Sequence, residues 1–272
     1  MNPARIDRAL VILGYLAQHQ EGCTLKRLCD DLALPMSSAH DLLQALVEID
    51  AVKLLGQRTY ALGPRSVVLA LSIVDSVDIR RVSRPYLAEL CEEINENTYL
   101  AVRSGSSVVY ADRQEAGQTL SVVMKLGGPR PLHSSAVGKL MAARNEDLEQ
   151  RVLHAPELEQ STPYTLVRRD RLRREFENIR ACGYSVSDGE SVEGILGVAT
   201  PVVDASGAVS AAVHVSAPRG RLSPDRLPFV VAAMSRTAAQ ISRQLGAAQD
   251  AVTLRTIDEI RDFERERHGA RS

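Results

Sequence analysis

The chain has 272 residues, is 44% hydrophobic and 25% charged, and carries a formal net charge of −1, which describes an ordinary globular protein long enough for two modest domains. No run approaches the roughly 20 uninterrupted apolar residues of a spanning helix, and the opening Met-Asn-Pro-Ala-Arg-Ile-Asp-Arg lacks the apolar core of a signal peptide, so a cytoplasmic location without membrane association is expected. The four cysteines (Cys23, Cys29, Cys91, Cys182) are scattered with no Cys-x-x-Cys pair, and aromatics are only 4% with no tryptophan; this argues for reduced thiols and against a thiolate metal site or a stacking surface for single-stranded nucleic acid.

The segment Ile6 to Leu16 reads as a helix, with Ile6, Leu10, Leu13 and Ala17 at helical spacing. Thr24 is a plausible N-cap for a short second helix, Leu25 to Leu32, although Arg27 three residues on rules out a full capping box. Ala33-Leu34-Pro35 is a turn into the most informative span, Leu34 to Leu46. There Ala39, Leu42, Leu43, Leu46 and Val47 follow the i, i+3, i+4, i+7, i+8 pattern of one buried stripe. The opposite face carries Ser37, Ser38, His40, Asp41 and Gln44, short polar groups suited to phosphates and base edges. Two extended runs follow, Val52 to Leu55 and Thr59 to Leu62, joined at Gly56-Gln57-Arg58 as a tight hairpin with Arg58 at its tip.

Three helices and a two-stranded wing over residues 1–63 make a winged helix-turn-helix, whose exposed helix enters the major groove of a double-stranded operator. Ser37, Ser38, His40 and Gln44 are the expected contacts, with Arg58 on the backbone. Against this stands the charge: seven basic and seven acidic residues from Met1 to Arg65, where a DNA-binding segment usually has a basic excess. DNA binding here must rest on a few placed cations, helix N-termini and dimerisation; a small helical bundle without a DNA role is the alternative.

Residues 64–82 are apolar (Val67, Val68, Leu71, Val74, Val77) and read as a connecting helix with a sticky surface. Pro85 is expected to start a helix from Tyr86 to Asn95. Strands follow at Thr98 to Arg103 and Val108 to Asp112 around Ser104-Gly105-Ser106-Ser107, then at Thr119 to Leu126. A helix starts within 132–139 and runs to Ala143; another spans Asp170 to Cys182 with Gly183 as its stop. Further strands are expected at Tyr184 to Ser187, Gly197 to Val203 and Val209 to Ser216, and a last long helix ends at Leu245. Hairpins with intervening helices give an α+β domain over 83–248. The tail from 249, with five Arg against six acids, is either a solvated helix or disordered.

Along Val209 to Ser216, Val209, Ala211, Val213 and Val215 point one way and Ser210, Ala212, His214 and Ser216 the other. An apolar face for the core and a Ser/His face for a ligand is the economical reading, with a solvent-facing polar side as the alternative. Ser134 and Ser135 precede a helix whose first N–H groups are unpaired, which makes either a plain cap or a carboxylate seat.

The N-terminal module, the connecting helix, Pro-Leu-His-Ser-Ser-Ala-Val-Gly-Lys (131–139) and the stretch 183–218 (Gly-Tyr-Ser-Val … Ala-Thr-Pro-Val-Val-Asp … Val-Ser-Ala-Pro) resemble the isocitrate lyase regulator (IclR) family of bacterial transcription factors over roughly Arg5 to Leu245. That resemblance implies a GAF-like effector-binding domain behind the winged module, dimers that pair as dimers of dimers, a small organic acid effector, and control of a catabolic operon. It implies an effector pocket lined by Ser135, Ala136, Val137, Ser187, Ile195, Gly197, His214 and Ser216, with Leu120 and Val122 as an apolar wall. Members usually carry Lys and Arg where this chain has Met36 and Asp41, and often a basic residue at Ala61. His214 stands where relatives more often have Ser, and an imidazole there can hydrogen-bond a ligand or, when protonated, pair with an anion. No cofactor, metal or catalytic residue is expected. His133 beside two serines invites a hydrolase reading, but no G-x-S-x-G elbow is present. A small-molecule-binding protein whose head serves mainly protein contacts is the other alternative.

Overall fold

The computed structural model describes residues 3–19, 21–56, 58–76, 78–119, 121–248 and 256–269. They form two compact units, Met1–Asp78 and Ile79–Ser272.

The first unit holds α1 (Pro3–Gln18), β1 (Cys23–Thr24), α2 (Leu25–Leu32), α3 (Met36–Glu48), β2 (Val52–Leu55), β3 (Thr59–Leu62) and α4 (Pro64–Ser76). Thr24 caps α2 by accepting from the Arg27 N–H, and Ala33 ends it in the left-handed region at φ 51°. α3 starts one residue after Pro35, and its apolar stripe (Ala39, Leu42, Leu43, Leu46) is buried as its spacing predicts. On α1 the buried positions are Ile12 and Leu16, while Ile6 and Leu10 are exposed; a single period of 3.6 fits both sets, and only the neighbours decide which is covered. β3 lies between β1 and β2 in a three-stranded antiparallel sheet; β1 is too short to read from sequence.

The second unit is an antiparallel six-stranded sheet, β6-β5-β4-β9-β8-β7. Its strands are β4 (Thr98–Ser104), β5 (Ser107–Gln114), β6 (Pro129–Arg130), β7 (Ser185–Asp188), β8 (Ile195–Val203) and β9 (Val209–Pro218). On one face α5 (Asp78–Ile94), α9 (Leu227–Gln244) and α10 (Ile257–Gly269) pack against Leu100, Val198, Val213 and Val215. On the other, α6 (Ala136–Ala143), α7 (Glu146–Leu153) and α8 (Arg169–Cys182) pack against Tyr99, Tyr110, Ala199 and Ala212. The two-residue alternation of β8 and β9 thus supplies both cores.

Several expectations are corrected. Pro85 lies inside α5; a proline costs a helix one backbone bond, but Ile79 and Val82 before it and Leu87, Leu90 and Ile94 after it share one stripe on the sheet, and packing prevails. Of the strand expected from Thr119 to Leu126, the described residues 119 and 121–126 form none. Their main chain is held by side chains: the Tyr99 hydroxyl donates to the Val122 carbonyl and accepts from Met124 N–H, both at 3.0 Å, and Asn97 donates to Ser121 Oγ and Val122 O. Val209 faces away from Val213 because a bulge at Ser210 shifts the register between Val202 and Val203. The tail carries a helix, α10, and it is docked rather than solvated: Ile260 is fully buried against α9 and the Tyr184 hydroxyl donates to Glu264 at 2.8 Å. Among the described residues no helix is long and apolar enough to cross a membrane.

Candidate effector pocket and DNA-reading helix

The pocket begins at the entry to α6. Ser135 caps that helix, accepting from the Gly138 N–H at 3.1 Å and donating to the Pro131 carbonyl at 2.6 Å. Gly138 is required: a Cβ there would sit 2.1 Å from the Pro131 oxygen. Opposite this helix start, the ladder sets Ser187, Gly197 and Ser216 in one row across β7, β8 and β9. Gly197 makes room for His214, since a Cβ would lie 3.0 Å from the ring Cε1 and 3.6 Å from Ala136 Cβ.

Seven of the ten residues expected in the pocket line one cavity: Ser135, Ala136, Ser187, Ile195, Gly197, His214 and Ser216. The other three do not join them. Val137 is buried in the core beneath α6, one residue past the helix start and so turned to its far side. Val122 offers its backbone to Tyr99 and Asn97, and Met124 takes the apolar place. Leu120 lies outside the described residues. Five residues that sequence reasoning missed complete the lining: Tyr110, Met124, Arg130, Ser191 and Val192. A signal existed for Arg130, a lone cation between two prolines just before the Leu-His-Ser-Ser run. The others come from loops or from a strand face that alternation alone does not orient.

The polar atoms of this cavity are under-satisfied. Both ring nitrogens of His214, Ser216 Oγ and Arg130 Nε are buried without a hydrogen-bond partner. His214 stacks on Tyr110, with ring centroids 5.1 Å apart, and the Arg130 guanidinium lies 5.4 Å from the Tyr110 ring centre. Burial, reinforced by the Arg130 charge, pushes the His214 pKa down to about 3, the Val198 backbone pulling weakly the other way. Of the two expected roles, the protonated one is excluded: the imidazole is neutral and available to hydrogen-bond a ligand, and the pocket's cation is Arg130. No Asp or Glu is found among the described lining residues. The free interior is about 20 Å³, room for about one water.

A buried ion cluster stands behind the pocket. Lys139 of α6, fully buried, donates to Glu175 at 2.9 Å, to the Val186 carbonyl at 2.8 Å and to both Glu190 oxygens at 2.8 and 2.9 Å. Thr162 and Thr165 hydroxyls hold the Gly189 and Glu190 carbonyls. The next residues, Ser191 and Val192, border the cavity, so these contacts anchor the chain just before its rim and not the rim itself. His133 Nε2 lies 2.8 Å from the Glu159 carbonyl, which spends the imidazole on the backbone rather than on a serine.

In the first unit, Ser37, His40 and Asp41 of α3 are exposed and Ser38 and Gln44 partly so; Arg58 is exposed at the wing turn. His40 Nδ1 lies 3.8 Å from Asp41 Oδ1. Asp41 lines a cleft with Ser37, Ser38, Arg5 and Arg8, and Arg8 donates to Ser38 Oγ at 3.3 Å. Two cations of α1 thus flank the face of α3 that lacks its own. Ala61 is 5% exposed, so a basic side chain at this position would enter the core rather than extend the wing.

Comparison with known proteins agrees with both units. Residues 5–55 match the IclR helix-turn-helix domain and residues 71–243 the bacterial transcriptional regulator IclR C-terminal domain. The chain is 32% identical over 246 residues, 89% of each protein, to the HTH-type transcriptional repressor AllR of Klebsiella pneumoniae. It is 26% identical to the HTH-type transcriptional regulator KipR of Bacillus subtilis, over 89% of this chain and 96% of that one. A solved IclR regulator from Silicibacter sp. superposes with a TM-score of 0.80 at 26% identity, covering 90% of this chain and 97% of its own. The curated relatives are regulators and not enzymes. The helix-turn-helix match falls on the first unit and the C-terminal match covers more than half of the chain, so the chain belongs to the IclR family of DNA-binding transcriptional regulators.

Proposed function

We propose that this regulator responds to a small organic acid and controls a catabolic operon from the cytoplasm, as a dimer or dimer of dimers. The observation that carries the effector class is a cavity holding a guanidinium, Arg130, with no carboxylate among its described lining residues and with hydroxyl and imidazole groups awaiting partners. Leaving buried donors unmet is costly, and a carboxylate meets the guanidinium, Ser216 and the start of α6 together. Neutral His214 adds a hydrogen bond to a hydroxyl or oxo group, and Tyr110 and Met124 supply an apolar wall. Since the closed cavity has room for little more than a water, the acid enters by moving the rim residues Ser191 and Val192. Binding then favours one arrangement of the sensor over another, which sets operator affinity.

Calorimetry on the full-length protein with short oxo, hydroxy and aromatic acids is the test. Arg130→Met is expected to weaken acid binding about tenfold or more, the worth of one charge-assisted hydrogen bond, and Ala136→Leu to block it. Binding confined to neutral or cationic compounds, or acid binding indifferent to both changes, overturns the reading.

A further inference from the structure

A larger cavity lies on the other face of the same two strands. Alternation along β7 sends Ser187 to the effector pocket and Val186 and Asp188 to this second space; along β8, Gly197 and Leu196 divide in the same way. Its volume is about 480 Å³, within the range of small-molecule sites. Val186, Leu196, Leu222 and Leu227 give it an apolar floor, the first turn of α9 closes one end, and α10 forms the outer wall.

The charges around it sort by what already holds them. Asp188 is paired with Arg219 at 2.8 Å, and Glu264 accepts from Tyr184. Arg221 and Arg226, nearby in sequence, are both engaged with Glu96. Arg261 and Arg265 of α10 line the cavity and, among the described residues, pair with exposed carboxylates on their own helix, Asp258 at 3.1 Å and Asp262 at 3.3 Å, pairs worth little in water. The first turn of α9 has no side-chain cap; the Ser223 carbonyl accepts from the Leu227 N–H at 2.9 Å and Pro228 has no N–H, so Phe229 N–H is the donor this helix start can offer. Two carboxylates of the described lining stand near them: the exposed Asp225, and Glu264, whose hydrogen bond from the neutral Tyr184 hydroxyl leaves its charge in place.

We propose that this cavity is a second small-molecule site, for an amphipathic anion whose apolar body rests on Val186, Leu196 and Leu222 and whose charge meets Arg261, Arg265 and the start of α9. The family's C-terminal match ends at residue 243, so the wall that makes the site belongs to the part of this chain beyond it. The proposal is independent of the effector reading, because it uses none of that pocket's residues.

The test is a fluorescence titration of the full-length protein with 8-anilinonaphthalene-1-sulfonate, an apolar body carrying one anion. Arg261→Glu with Arg265→Glu is expected to weaken binding about tenfold or more, and Asp225→Asn, a change outside α10, to tighten it about threefold. Arg130→Met, which disables the effector pocket, is expected to leave it unchanged. Affinity that ignores both charge changes, or that falls only in Arg130→Met, overturns the site. Should the double change release α10 itself, Asp225→Asn still decides between a charge-reading site and a passive crevice.

Discussion

His214 is where residue chemistry departs most from what a sequence conveys. An imidazole among serines reads as a switchable cation, and full burial makes it a neutral one. The sign of the resulting pH effect follows. The folded-state pKa, about 3, lies below the unfolded value near 6.5, so the unfolded chain takes up a proton first as pH falls. Stability from this group is complete above about pH 6.5 and declines towards pH 3. Between pH 7 and 5 the protein is expected to lose about 2 kcal/mol that His214→Gln does not lose. Urea unfolding at the two pH values measures this, and parallel losses would show that His214 is solvated and titrates normally. Arg130 teaches the converse: its setting between two prolines marks it in the chain, but its place in the pocket depends on a two-residue strand, β6, that pairs at Val108 and Val109 and is too short to read from sequence.

At the scale of elements, the winged head was almost wholly legible, since α2 carries its own cap, α3 its turn and buried stripe, and the wing its hairpin. The sheet domain was legible at its long strands and helices. It was not legible where backbone is held by distant side chains, as at Tyr99 and Asn97, or where packing overrides a local breaker, as at Pro85. α6 shows how tightly the site is tied to its support. Lys139→Met would leave Glu175 and Glu190 buried together without their cation, and a loss of about 3–5 kcal/mol is expected. Chemical denaturation reads it, and adding Glu190→Gln should restore part of the loss; no recovery would mean that lost packing, not charge, is responsible. On α3, Asp41 is exposed beside Arg5 and Arg8. Asp41→Arg is expected to raise non-specific DNA affinity and to steepen the dependence of log affinity on log salt by roughly one unit, one further phosphate neutralised. An unaltered slope in gel-shift titrations would place this side chain away from the phosphates.

At the scale of the molecule, α4 carries Val67, Val68, Leu69 and Leu71 at 49, 63, 57 and 64% exposure, more apolar surface in one place than a lone protein usually shows to water. Pairing of two copies through α4 is the expected cover. Val68→Glu with Leu71→Glu should shift the protein to monomer in analytical ultracentrifugation and weaken operator binding, while circular dichroism stays unchanged. A variant that sediments like the parent would assign the assembly to another surface.

That apolar helix has a consequence for how the protein is dosed in a cell. If only paired copies grip an operator, occupancy at low abundance follows the square of the protein's concentration. Diluting the regulator by half at a cell division then removes three-quarters of the gripping species, and a modest rise in its synthesis restores control disproportionately. The helix would thereby make the gene's own expression level a threshold, separate from any molecule the sensor binds.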